Sequence, residues 1–372
     1  MPDRTDELVA ELRYLFVKNR LNAEHTMHLL RMANPRWDFG SRRAFFNFFK
    51  RHNIDGPRKG ALRGEELENA LRSLHDIHGE RGYRGRTHAL VIDDHIVTRN
   101  RVQRHLHETE PEAAAGRKPK SKKIRRFPIR SFGPNQQWSM DGYDKMSALG
   151  LAIYGIRDVY SGYIIAAEVM PSNRLTRNVQ YVFVKAVAAR GGYPYQIASD
   201  SGREMGLASA VQQMLRVIHP IPDQFQDFEH HVQLESKHNI TIERLWKTMR
   251  EDLTDKVNRG LAGASTRGFN LLHRVHRVTF HWLMVPVIQG SLAEFHRFHM
   301  SFKVRHQVEK FNPSGCSRQD AYRFPQFFGD MECLTPVDPM GAWNLYRMAE
   351  AEATLRWWTP EQGEVLEDGQ RT

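Results

Sequence analysis

The stretch Gln137-Trp138-Ser139-Met140-Asp141-Gly142-Tyr143 decides the fold prediction, because it is an apolar run that carries one carboxylate. Two further apolar runs follow it, at residues 151–158 and 163–169, and short turn-rich spacers separate the three. Runs of this length and composition, divided by turn residues, are typical of β-strands. The pattern therefore predicts an antiparallel meander of three strands.

The segments after the meander change to helical periodicity. Apolar residues at three- and four-residue spacing predict three helices, over Arg174–Ala189, Met205–Val217 and Asn239–Val257. A short apolar run between the first two helices predicts a strand over Tyr195–Asp200. Three strands, a helix, a strand and two helices make an α/β fold, with a mixed sheet flanked by helices. Helical segments are predicted again from about residue 268 to 310, followed by a mostly irregular tail.

Three acidic residues occupy unusual positions in this region. Asp141 lies on the first strand, Asp200 ends the fourth strand, and Glu243 lies in the long helix. A carboxylate on a buried strand is costly unless it is paired or binds a metal. If the three converge, they would hold two Mg²⁺ or Mn²⁺ ions, which prefer carboxylate ligands and serve in-line phosphoryl displacement. Structural carboxylates also occur at strand ends and on helix surfaces, and that interpretation remains open.

The long helix has two distinct sides. Glu243, Lys247 and Arg250 recur at positions i, i+4 and i+7, which share one face. The apolar side comprises Ile242, Leu245, Trp246, Met249 and Leu253. This arrangement predicts one metal-binding acid beside two cations, Lys247 and Arg250, that contact DNA phosphates. A solvated helix with an i,i+4 ion pair would have the same pattern.

The N-terminal third is predicted to consist of two helical, helix-turn-helix-like modules, at residues 1–57 and 58–115. In the first, Ser41 is expected to cap a helix, and the cluster at residues 45–49 is expected to form the core. In the second, Thr98 precedes a helix with Val102 and Leu106 on one face. That helix also carries three basic residues expected to contact DNA: Arg99, Arg101 and Arg104. A solvated basic face on a packing helix is the alternative.

The net charge is concentrated near the N-terminus. Of 372 residues, 54 are Lys or Arg and 43 are Asp or Glu, giving a net charge of +11, and residues 1–130 hold 28 basic and 17 acidic residues. All of the excess therefore lies there, which favours a polyanion-binding front end. Residues 116–130 contain eight basic residues and no acidic one. This stretch is interpreted as an extended linker that contacts DNA through Lys122, Lys123, Arg125 and Arg126, or as a nuclear-import address, with a solvated spacer as the alternative.

Several classes of protein are disfavoured by composition. No run approaches the roughly 18 apolar residues of a membrane helix, and the N-terminus lacks the pattern of a signal peptide. The two cysteines, Cys316 and Cys333, cannot build a disulfide framework, and no CxxC accompanies the helical histidine pairs, so a zinc site is not expected. The expected compartment is the nucleus.

Residues 130–310 resemble the integrase core of retroelement and transposon DDE recombinases, which has a ribonuclease H-like fold, and most closely its eukaryotic integrase-core proteins. The resemblance rests on four ordered motifs and a closing helix: residues 133–145, Asp158-Val159-Tyr160-Ser161, residues 198–204, His238-Asn239-Ile240-Thr241-Ile242-Glu243, and residues 295–305. It implies that Asp141, Asp200 and Glu243 are the catalytic metal ligands. It also implies that Asn239 lies near the site and contacts DNA, and that Asp158 is structural.

The resemblance implies a DNA-binding integrase or transposase that cleaves strands and transfers them, works as a homo-oligomer, and needs neither a membrane nor a small-molecule cofactor. The expected organisation is a linker at 116–133, a catalytic core at 134–262, and a helical extension with an irregular tail at 263–372. Gly162, Arg203 and Met205 depart from the family pattern. Two alternatives stay open: a domesticated, inactive DNA-binding protein, and a metal-dependent nuclease without joining activity.

Overall fold

The computed structural model describes residues 4–18, 21–54, 56, 62–74, 81–110, 130–200, 202–234, 240–308 and 310–357. The chain divides into two compact units. The first comprises residues 1–128 with 301–307 and 314–317, and the second comprises residues 129–300, 308–313 and 318–372. Within the described residues, no helix is long and apolar enough to cross a membrane.

The first unit is helical, as its sequence predicts. Its helices are α1 (Arg4–Leu12, continued by a π-helical turn at Arg13–Lys18), α2 (Ala23–Ala33), α3 (Arg42–Arg51), α4 (Gly64–Ser73), α5 (Tyr83–Ile92) and α6 (Arg99–Thr109). The predicted cap is present, because the Ser41 hydroxyl accepts a hydrogen bond from the Ala44 amide at 3.2 Å. Helix α2 ends at Ala33, and Pro35 begins a short 3₁₀ turn directly after Asn34.

Aromatic packing holds the first three helices together. The ring of Phe16 lies edge-on to the rings of Phe45 and Phe49, with centroids 5.4 and 5.0 Å apart. Phe45 and Phe49 are both buried. Edge-to-face pairs at such distances add to the free energy gained from burial. The aromatic cluster is therefore the core of this module, as its spacing predicts.

A buried ion pair joins α5 to the end of α6. The Arg86 side chain is almost completely buried, and its guanidinium contacts both carboxylate oxygens of Glu110, at 2.7 and 2.8 Å. The Arg86 Nε also donates to the Arg81 carbonyl oxygen at 3.1 Å. Val102 and Leu106 are buried on the inner side of α6, which confirms the predicted apolar face.

The second unit is built on a five-stranded mixed sheet with the order β3-β2-β1-β5-β6. The strands are β1 (Gln137–Tyr143), β2 (Ala152–Asp158), β3 (Ile164–Met170), β5 (Gln196–Ser199) and β6 (His231–Gln233); a two-stranded ribbon pairs β4 (Gly192–Tyr193) with β7 (Thr335–Pro336). The first three strands form the predicted antiparallel meander, whereas β5 runs parallel to β1 and β6 runs parallel to β5. The mixed α/β fold predicted from the sequence is confirmed, with β6 as an unpredicted edge strand.

Helices cover both faces of this sheet. They are α7 (Thr176–Arg190), α8 (Gly206–Ile218), α9 (Ile240–Met249, continued by a π-helical turn at Arg250–Thr254), α10 (Asp255–Ser265), α11 (Arg274–Ser301), α12 (Arg318–Arg323) and α13 (Pro339–Glu352). One apolar cluster joins Trp138 and Met140 to α7, α8 and α13, and another joins Tyr143 to α9 and α11. Because strand side chains alternate between faces, Asp141 belongs to the same face as Tyr143, which is covered by α9.

The C-terminal residues form a regular helix where a mostly irregular tail was expected. Helix α13 begins at Pro339, and the Asp338 carboxylate accepts a hydrogen bond from the Gly341 amide at 2.6 Å. An N-cap aspartate followed by proline is a strong helix-start signal. The helix packs on α7, with the rings of Tyr181 and Tyr346 5.9 Å apart, and buries Ala349. Residues beyond the matched motifs are therefore part of the core of this unit.

Candidate metal centre

The register of the central strands brings Asp141 and Asp200 to neighbouring positions. Strands β1 and β5 are parallel, and Ser139 lies opposite Ala198. Asp141 and Asp200 each come two residues later, so they continue the same register at the same edge of the sheet. Asp141 lies within β1, whereas Asp200 directly follows the last residue of β5.

Helix α9 supplies the third carboxylate. Its apolar side is buried as predicted, because Ile242, Leu245, Trp246 and Met249 all pack into the cluster on that face of the sheet. Glu243 lies in the first turn of the helix and is exposed. The helix therefore rests on the face that carries Asp141.

Burial and nearby charges both change the pKa of Asp141. Its pKa is raised from 3.8 to about 6, mainly because burial penalises the charged form. The negative charges of Asp200 and Glu243 raise the pKa further, while hydrogen bonds from Trp246 and Gly142 oppose the shift. Two like charges near a third are unfavourable unless a cation compensates them.

Both oxygens of the Asp141 carboxylate accept hydrogen bonds from the protein. The Trp246 indole Nε1 donates to Oδ2 at 2.7 Å, and the Gly142 amide donates to Oδ1 at 2.8 Å. Each carboxylate oxygen can accept a second bond, so both oxygens keep capacity for another ligand. The sequence did not indicate the role of Trp246, because its spacing marks it only as part of the apolar face of the helix.

The donor set suits a hard divalent cation. Three carboxylates offer only oxygen ligands, which Mg²⁺ and Mn²⁺ prefer, and the charge around Asp141 is what such an ion neutralises. In the part of the chain that the structure describes, no group of three or more His, Cys, Asp or Glu side chains lies close enough together to hold a metal ion. Asp141, Asp200 and Glu243 therefore do not form such a group in this structure, and their joint binding of a metal ion stays a prediction.

A second polar network involves Ser199, the residue that precedes Asp200. The Ser199 hydroxyl donates to the Asp200 carbonyl oxygen at 2.8 Å and lies 2.9 Å from Nε2 of His231. The other ring nitrogen of His231 lies 3.2 Å from the Ser209 hydroxyl on α8. Burial lowers the pKa of His231, which favours the neutral ring. These contacts tie the end of β5 to β6 and α8, and sequence reasoning missed them because β6 was not predicted.

Asp158 lies outside this group of acids. It is fully buried and accepts hydrogen bonds from the Asn135 amide at 2.8 Å and from the Ser161 amide at 2.7 Å, together with one from the Ser161 hydroxyl. Burial raises its pKa to about 6 as well. Its hydrogen bonds hold the turn between β2 and β3, which agrees with the structural role that the resemblance implies.

The basic residues predicted to contact DNA differ in exposure. Arg99, Arg104, Lys247 and Arg250 are exposed, whereas Arg101 is half-buried and donates from Nη1 to the Leu62 carbonyl oxygen at 3.1 Å. Part of the hydrogen-bonding capacity of Arg101 is therefore used within the first unit. The remaining candidates lie outside the described residues: Lys122, Lys123, Arg125, Arg126 and Asn239.

Comparisons with known proteins found a matching family model and a similar solved structure. The family model described as "Integrase core domain" matches residues 129–314, half of the chain. The chain is also similar to a solved structure described as the cryo-EM structure of the simian T-cell lymphotropic virus intasome in complex with PP2A regulatory subunit B56 gamma. That similarity has 14% sequence identity, covers 72% of this chain and 78% of the other, and has a TM-score of 0.32. No curated protein matches this chain. The matched residues include all five strands of the sheet. Because the family model matches half of the chain, the chain belongs to the integrase core domain family, as its motifs predict.

Proposed function

We propose that this protein is a DNA-binding DDE-type integrase or transposase that cleaves DNA strands and transfers them with divalent cations. The observation that carries the proposal is the parallel register of β1 and β5, which brings Asp141 and Asp200 to neighbouring positions on the sheet that α9, the helix of Glu243, covers. Burial, and to a lesser extent the charges of Asp200 and Glu243, raise the pKa of Asp141. Perturbed carboxylates of this kind cluster at catalytic sites. The match to the integrase core domain family supports the same chemistry.

In this mechanism Asp141, Asp200 and Glu243 would hold two Mg²⁺ or Mn²⁺ ions. The chemistry that such a pair supplies is activation of the attacking oxygen and stabilisation of the leaving oxygen in an in-line displacement at phosphorus. The chain itself binds the substrate: Lys247 and Arg250 follow Glu243 and are exposed, so they can pair with phosphates. Water would attack phosphorus in the cleavage step and break the P–O bond to a 3′-oxygen, which leaves as a DNA 3′-hydroxyl. In the joining step that 3′-hydroxyl would attack a second phosphodiester and displace the 3′-oxygen of the target strand.

The first unit and the linker would supply most of the DNA affinity. The excess positive charge of residues 1–130 supports this proposal, because they hold 28 basic and 17 acidic residues. Neutralising phosphates releases counterions, so this affinity should depend strongly on salt. We further propose a homo-oligomer as the working form and the nucleus as its compartment, in line with the family membership and the basic linker.

The test is metal-dependent nicking and strand transfer by the full-length protein. Asp141→Asn, Asp200→Asn and Glu243→Gln should each lower both activities by about a hundred- to a thousandfold, because each removes a ligand charge from the site. Glu251→Gln is the matched control, since Glu251 is an exposed carboxylate in the π-helical turn that continues α9, and its variant should retain wild-type activity.

Equal activity of the three variants and the wild type would show that the catalytic assignment is wrong. DNA binding by a wild-type protein that is inactive with both Mg²⁺ and Mn²⁺ would instead favour the inactive DNA-binding alternative. Cleavage without any joined product would favour the nuclease. Light scattering of the protein with and without DNA measures the oligomeric state.

A further inference from the structure

The indole of Trp246 lies against Gly155 of β2. A Cβ atom at Gly155 would lie only 2.4 Å from Cη2 of Trp246, so a side chain at this position is incompatible with the observed ring position. Gly155 is also the residue that pairs with Asp141 across β1 and β2. Glycine at position 155 therefore admits the indole to the site directly beside Asp141.

Further contacts restrict the ring. Trp246 is only 8% exposed, and the ring of Tyr143 lies 5.4 Å away from its ring, centroid to centroid. The Tyr143 hydroxyl is in turn 2.7 Å from the Thr254 hydroxyl, at the end of the π-helical turn after α9. Packing on these sides limits the rotamers of Trp246, so its N–H has a defined direction.

That N–H points at the carboxylate of Asp141. The Nε1–Oδ2 distance is 2.7 Å, while the Gly142 amide holds Oδ1 at 2.8 Å. With one donor on each oxygen, rotation of the carboxylate about its bond to Cβ would break two hydrogen bonds. The remaining lone pairs of Asp141 therefore keep a fixed orientation.

We propose that Trp246 is a positioning residue for the cation site: its indole N–H holds the Asp141 carboxylate in the orientation in which it binds a divalent cation together with Asp200 and Glu243. This inference rests on the proposed function, because it assigns Trp246 a role at the same site. Groups that hydrogen-bond a metal ligand fix its orientation, and their loss lowers metal affinity by about 10- to 100-fold. Trp246 stands one helical turn after Glu243, so α9 supplies both a ligand and the group that orients another.

The test measures the affinity of the full-length protein for Mn²⁺ alone, by calorimetry or electron paramagnetic resonance, without DNA. Trp246→Phe keeps an aromatic ring but removes the N–H donor, and it should weaken Mn²⁺ binding about tenfold. Trp138→Phe is the matched control, since Trp138 is also buried and donates its indole N–H at 2.8 Å, but to Asn135 and in the apolar cluster on the other face of the sheet. Its Mn²⁺ affinity should equal that of the wild type.

A second variant covers the case in which Trp246→Phe does not fold. Gly155→Ala leaves Trp246 intact but places a methyl group where the indole lies, so it should displace the ring and weaken Mn²⁺ binding in the same direction. Thermal shifts on adding Mn²⁺ provide a second readout, because each variant is compared with its own metal-free form and a general loss of stability cancels.

Asp141→Asn separates failure of this inference from failure of the proposed function. If Asp141→Asn weakens Mn²⁺ binding while Trp246→Phe and Gly155→Ala bind it as the wild type does, the positioning role is wrong and the proposed function stands. If Asp141→Asn also binds Mn²⁺ as the wild type does, the proposed function is wrong. Equal weakening in Trp246→Phe and Trp138→Phe would overturn the inference too, because it would reflect loss of core packing.

Discussion

Asp141 and Asp158 are two carboxylates with similarly raised pKa values and different surroundings. Burial is the largest cause of both shifts, to about 6. Asp158 accepts hydrogen bonds from Asn135 and from Ser161 in the turn after β2, and the charge of Glu332 also raises its pKa. Asp141 is half-buried, and the charges of Asp200 and Glu243 raise its pKa. A raised pKa therefore does not by itself distinguish a structural carboxylate from a candidate metal ligand.

The raised pKa of Asp141 makes the stability of the cation-free protein depend on pH. Because the folded-state pKa of about 6 exceeds the usual 3.8, the contribution of Asp141 to stability is fully present below the unfolded pKa and is lost as pH rises through about 6. Asp141→Asn should therefore flatten the fall in the free energy of unfolding over this range, measured by denaturant titration at several pH values. Asp158 retains its own contribution in that variant, so the slope should decrease without vanishing. An unchanged slope would contradict the shift assigned to Asp141.

At the scale of elements, periodicity predicted most helices correctly but could not identify contacts between them. The apolar faces of α6 and α9 are buried as their spacing requires. The half-burial of Arg101 follows from the position of Leu62, which is distant in sequence. Strand β6 has only three residues, too few for an alternating pattern to be recognised, and its parallel pairing with β5 is a long-range contact.

Helix α6 is expected to contact DNA phosphates through Arg99 and Arg104, which are exposed on it. Arg104→Glu should weaken DNA binding and decrease the slope of log affinity against log salt by about 0.9, because one phosphate is no longer neutralised. Arg72→Glu is the matched control, because Arg72 is an exposed arginine on α4 whose guanidinium pairs with Glu68 at 2.7 Å. Titrations at several salt concentrations measure both slopes. Equal slopes for Arg104→Glu and the wild type would contradict the predicted contact between α6 and DNA phosphates.

Each of the two units buries apolar side chains of its own: the first buries Phe45 and Phe49 among others, and the second has apolar clusters on both faces of its sheet. A core of its own allows a unit to unfold cooperatively, so calorimetry should resolve two transitions. Arg86→Ala removes the buried partner of Glu110 and should destabilise the first unit by roughly 3 kcal/mol. Ala349→Asp places an unpaired charge between α13 and α7 and should lower the midpoint of the other transition by several degrees.

The neighbouring residue of Ala349 offers a matched control, because Met348 is 65% exposed on the same helix. Met348→Asp introduces the same charge without burying it and should leave both midpoints nearly unchanged. A single transition in the wild type, shifted by both Arg86→Ala and Ala349→Asp, would contradict independent unfolding of the units.

The sequence by itself determined β1, β2, β3 and β5, most helices and the mixed α/β class, because hydrophobic periodicity and short motifs are local properties of the chain. It also indicated the three acids as candidate metal ligands, which stays a prediction. Only the tertiary structure decided that Trp246 donates to Asp141, that Gly155 makes room for it, and that α13 completes the core on α7. These depend on strand register and helix packing, which bring together residues that are distant in the chain, as Asp141 and Trp246 are. Local patterns do not encode such pairings, since the free energy that selects them comes from burial of the whole sheet between its helices.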